Sequence, residues 1–161
     1  MNPRRTGSPR KRSVGMLSAF VLIALSLFTP AARAQELRLD GLGGEHLTDA
    51  DLRQGPWIVV VWASWSPRSR GVAEKVNALA RRFNGKARVV TVNFQENRAA
   101  VDGFLAGGRF DVPVFLDADG AFAKRYAVAN LPGLLVVKGG EAAYRGKLND
   151  DTDQVLAELL P

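Results

Sequence analysis

Trp57-Ile58-Val59-Val60-Val61-Trp62 is an unbroken β-branched and aromatic run without a polar position. A strand of that composition is covered on both faces, so it belongs in the middle of a sheet with other elements packed above and below it. A few residues later the pattern changes. From Ser66-Pro67 onward, Val72, Val76, Leu79, Ala80 and Phe83 recur at helical spacing, Arg81, Arg82 and Lys86 gather at the end where the helix dipole favours cations, and Asn84-Gly85 stops the run.

The remaining segments alternate in the same way. Leu37–Leu39 reads as a short strand, 41–44 as a turn and 48–52 as a short capped helical turn. Strands are expected over 88–94, 112–116, 134–137 and 142–145, the last two joined by a Gly139-Gly140 turn. Helices are expected over 99–105, 121–126 and 150–160, with Val155, Leu156, Leu159 and Leu160 on one face of the last. Strands alternating with helices and ending in a hairpin and a helix describe an α/β sandwich around a mixed sheet. No internal repeat interrupts it.

The first residues read differently. Arg4, Arg5, Arg10, Lys11 and Arg12 form a basic stretch, 16–28 is an almost continuous apolar run, and Ala32-Arg33-Ala34 follows Pro30 as a small-x-small cleavage site. Residues 1–34 are expected to be a signal peptide and residues 35–161 the folded domain. A tilted, uncleaved anchor over 14–32 is the alternative, and would be the only contact with a membrane. The net charge of +6 comes from this leader, which holds six of the 22 Lys and Arg and none of the 16 Asp and Glu. The domain beyond it is therefore neutral, which argues against a nucleic-acid partner.

There is no cysteine, and the two methionines, Met1 and Met16, both lie in the leader. The domain contains no sulfur. Disulfides, thiol nucleophiles, iron–sulfur ligation and a lipid-modified cysteine are excluded. One histidine, His46, without clustered carboxylates beyond turn and cap residues such as Asp117, Asp119 and Asp150-Asp151, offers neither a metal site nor a base for a serine nucleophile. No cofactor is expected.

The segment Val61-Trp62-Ala63-Ser64-Trp65-Ser66-Pro67-Arg68-Ser69-Arg70 resembles the active-site segment of thioredoxin-like proteins, in which Trp-Cys-x-x-Cys joins the central strand to the next helix. Serine stands at both cysteine positions. The resemblance covers nearly the whole domain and points to exported oxidoreductases of the TlpA and ResA type. It implies a thioredoxin-like three-layer sandwich with an N-terminal strand extension, and a helix–strand insertion between Asn97 and Leu116. It also implies a cis-proline at Pro132, in Tyr126-Ala127-Val128-Ala129-Asn130-Leu131-Pro132. Two acidic partners known from such proteins are missing, because Val60 and Val72 occupy their positions and Glu74 lies on another helical face.

Ser66 and Pro67 also suit a helix start, as N-cap and first helical residue. A sharper reading makes the helix N-terminus, with Ser66, Ser69, Arg68 and Arg70, a small-anion site. Trp65, Pro67, Leu131 and Pro132 form a third candidate, an apolar groove that would take a polypeptide by strand-like pairing. The expected function is that of an exported, periplasmic, redox-inactive binding or assembly protein. The alternatives are a redox-pathway member whose cysteines were lost in this copy, and an anion binder or non-thiol enzyme.

Overall fold

The computed structural model describes residues 36–161; the expected leader lies outside the described residues. Seven strands form one sheet: β1 (Arg38–Gly41), β2 (His46–Thr48), β3 (Pro56–Trp62), β4 (Arg88–Phe94), β5 (Val114–Asp117), β6 (Gly133–Lys138) and β7 (Glu141–Lys147). Their order is β2-β1-β5-β4-β3-β6-β7. The β3, β4 and β5 strands run parallel, while β6 pairs antiparallel with β3 and with β7, and β1 pairs antiparallel with β5 and β2. The expected mixed α/β sandwich is the one found. The expected N-terminal strand is in fact a hairpin of two.

β3 shows why the apolar run needs two covered faces. Ile58, Val60 and Trp62 point into one core with α2 (Val72–Arg82), α3 (Arg98–Leu105) and α5 (Thr152–Leu159). Trp57, Val59 and Val61 point into the other, with α1 (Asp49–Leu52) and α4 (Ala121–Arg125) behind Leu52, Phe122 and Tyr126. Alternation of successive side chains across the sheet makes each residue of the run a core residue. The insertion completes the first core, since Phe104 and Phe110 lie 4.7 and 5.2 Å from the Trp62 ring, centroid to centroid.

Two local devices shape the end of the sheet where β3, β4 and β5 finish. Asp117, fully buried at the end of β5, accepts the main-chain N–H groups of Phe122 and Ala123, each at 2.9 Å, and so anchors the start of α4. Burial raises its carboxyl above the ordinary value despite those bonds. Gly133, the first residue of β6, has no room for a side chain, because a Cβ there would stand 2.7 Å from the Asn130 carbonyl oxygen.

Candidate functional site

After Trp62 the chain turns through Ala63–Ser66, closed by the Ser66 N–H donating to the Ala63 carbonyl at 3.2 Å. Pro67–Ser69 forms a single 3-10 turn, Arg70 is extended, and Gly71 takes a left-handed conformation (φ 69°) before α2 begins at Val72. This corrects the expected helix start. Ser66 and Pro67 open the 3-10 turn, and the N-cap position of α2 falls to Gly71, which suits the positive φ but has no side chain to cap with. The Ser66 hydroxyl makes no cap bond; it donates to the Leu131 carbonyl at 3.3 Å.

Ser69 is fully buried, and its hydroxyl has no hydrogen-bond partner among the described residues. It faces the protein interior, so the small-anion reading loses it as a ligand. Val60 and Val72 pack in one core with Trp62, Ala73 and Leu134. The two valines fill the positions of the missing acidic partners with close-packed side chains.

One functional-site residue was not anticipated. The Glu96 carboxylate accepts the main-chain N–H of Ser64 at 2.6 Å, the Ser64 hydroxyl, and the Asn93 side-chain amide at 2.7 Å. It ties the loop after β3 to the loop after β4. Gln95, at φ 54°, takes the left-handed region between β4 and Glu96. The signal in the sequence was faint: Asn93 is a polar residue inside the apolar β4 run, followed three positions later by an acid.

The Leu131–Pro132 peptide bond is cis, as the resemblance implied. Beside it a groove of about 490 Å³ is lined by Trp65, Pro67, Arg68, Phe94, Val128 and Leu131, with Ser66 at its edge. Trp65 is 62% exposed and is the one large exposed apolar side chain among the described residues. The structure therefore brings together Trp65, Ser66, Pro67, Arg68 and Leu131. It leaves out Ser69 and Pro132, whose carbonyl accepts from Leu148 at 3.3 Å. Along the groove wall the N–H groups of Ala129, Asn130 and Leu131 have no partner among the described residues.

His46 lies far from this groove, exposed on β2, with its Nδ1 2.8 Å from an Asp40 carboxylate oxygen. It borders a larger recess of about 740 Å³ where β3 and β4 begin, at the opposite end of the sheet from the motif. No motif residue lines that recess, so its size does not make it the candidate site. Asp119 accepts the Ala121 N–H at 3.0 Å, which is turn chemistry.

A motif loop between the central strand and a helix, set against a cis-proline loop, defines a protein of the thioredoxin fold. The Redoxin family matches residues 28–155, and the chain belongs to that family. Among curated relatives, the thiol:disulfide interchange protein DsbE of Yersinia pestis is 34% identical over 125 residues, covering 73% of this chain and 63% of that protein. Among solved structures, Mycobacterium tuberculosis DsbF superposes with a TM-score of 0.67 at 21% identity, covering 78% of this chain and 95% of that one. The exposed lipoprotein thioredoxin of Streptococcus pneumoniae also gives a TM-score of 0.67, at 19% identity, covering 77% and 97% respectively. These structural likenesses establish the fold. Less than two thirds of the Yersinia protein's length is spanned.

Proposed function

We propose that this chain is an exported, redox-inactive relative of the TlpA and ResA type that binds polypeptides through the face where its relatives carry their cysteines. Thiol–disulfide exchange needs a thiolate nucleophile, and the chain contains no cysteine. The observation that carries the reading is the groove itself. An exposed Trp65 stands beside Leu131 in a loop whose 129–131 N–H groups have no partner among the described residues, which leaves main-chain donors for an extended segment. The leader-like sequence of residues 1–34 supports export to the periplasm, by cleavage or as an anchored domain.

Binding of a permanently unfolded, cysteine-free polypeptide tests the reading. Trp65→Ala and Leu131→Ala should each weaken it at least ten-fold while the thermal midpoint stays within a few degrees of the parent's. Unchanged binding by both variants sinks the groove as the docking face.

A second reading, an oxidoreductase whose cysteines were lost in this copy, is supported by the Yersinia DsbE similarity and by the placement of Ser66 at the Leu131 carbonyl, with Ser69 buried in the same turn. The double variant Ser66→Cys, Ser69→Cys should then reduce a disulfide substrate. A folded double variant without that activity counts against it.

A further inference from the structure

The groove has a charge as well as an apolar wall. Arg68 is the one ionisable side chain in its lining, and no carboxylate faces it there. Among the described residues Arg68 forms neither an ion pair nor a side-chain hydrogen bond; Arg53, Arg70, Arg88 and Arg145 likewise have no carboxylate partner, but of these five only Arg68 lines the groove. Glu96, the acid nearest the motif loop in the fold, is occupied by Ser64 and Asn93. The domain from Gln35 onward balances its charges, so a lone cation in this groove is a local feature and not the overflow of a basic protein.

We infer that the partner is an extended polypeptide segment carrying an acidic side chain, an Asp or Glu placed among apolar residues, and that Arg68 selects it. The inference rests on the groove reading above. Trp65, Phe94, Val128 and Leu131 supply contact for the apolar residues, and main-chain N–H groups of 129–131, without a partner among the described residues, supply pairing that is indifferent to side chain. Neither can choose one sequence over another by charge. The guanidinium can, because its fork of donors matches a carboxylate in two hydrogen bonds and disfavours an ammonium at the same place.

The probe is a set of blocked octapeptides of Val and Leu in which a single Asp, Asn or Lys is walked through the six inner positions. Each is titrated calorimetrically against the protein and against its Arg68→Gln and Trp65→Ala variants. At the best position the Asp peptide should bind roughly three- to five-fold tighter than its Asn counterpart, the range of an exposed ion pair. That preference should vanish in Arg68→Gln, which should bind the Asp and Asn peptides equally. Equal affinities for Asp, Asn and Lys, or a preference that survives Arg68→Gln, would overturn the inference and leave the groove standing. Absence of binding by every peptide, or binding indifferent to Trp65→Ala, would overturn the groove reading and the inference with it.

Discussion

Glu96 grips Ser64 at two points, main chain and hydroxyl, from 32 residues further along the chain. The loop that presents Trp65 is therefore held from its side by a carboxylate on the neighbouring connection. Hydrogen bonds to a charged group contribute about 1.5–3 kcal/mol each when a partner is removed.

Glu96→Ala should lower the unfolding free energy by about 2–3 kcal/mol and leave the Ser64 N–H unprotected. Hydrogen exchange at the Ser64 amide, read by NMR, should speed up strongly, while amides in the middle of β3 slow or speed only with global stability. Retention of parental protection at Ser64 would show that the carboxylate is not what holds the loop.

Ser69 leads to a gain. A buried hydroxyl without a partner costs about 1–3 kcal/mol, and alanine removes it while leaving space for one small atom. Ser69→Ala is expected to raise stability by about 1 kcal/mol in urea titration, whereas Ser66→Ala, losing one long bond of 3.3 Å, should change it by less than about 0.5 kcal/mol. A loss of stability in Ser69→Ala would mean that the hydroxyl has a partner in solution.

Asp117 and Asp51 should respond to acid in opposite senses. Burial raises the folded-state pKa of Asp117 above its ordinary 3.8, so the native state takes up its proton first as pH falls. Stability from this group therefore rises on acidification toward 3.8. Compared with Asp117→Asn, the parent should become relatively more stable as pH falls from 7 toward 3.8 in paired denaturant titrations. Asp51 is held below its ordinary value by the hydroxyl and N–H of Thr48, its capping-box partner, so its contribution is present above 3.8 and is lost as pH falls through the lowered folded value. Compared with Asp51→Asn, the parent should lose its relative advantage over that acid range. Parallel pH profiles for parent and variant at either position would contradict the corresponding shift.

Where a residue's neighbours along the chain decide its environment, the sequence was a sufficient guide. The run 57–62 could only be a strand covered twice, and it lies between β4 and β6 with each side chain buried. The motif resemblance implied a cis bond at Pro132, and the Leu131–Pro132 bond is cis. It failed where distant contacts or conformational detail intervene. Ser66-Pro67 obeys every local rule for starting a helix, yet Arg70 and Gly71 break the turn and move the start to Val72. β2 was missed because only Leu47 of its three residues is buried, and one inward residue gives no periodicity to read. Glu96 could not be placed because its principal partner is remote in sequence.

The chain has three tryptophans, and the fold sorts them. Trp57 and Trp62 are shut inside the two cores, while Trp65 stands in the open at the groove. Trp65 is 62% exposed against 6% for Trp57 and 0% for Trp62, so an aqueous quencher acts mainly on this one residue. The protein thus carries its own optical reporter at the face in question, and occupancy there will show as shielding of that one emitter without any label being attached.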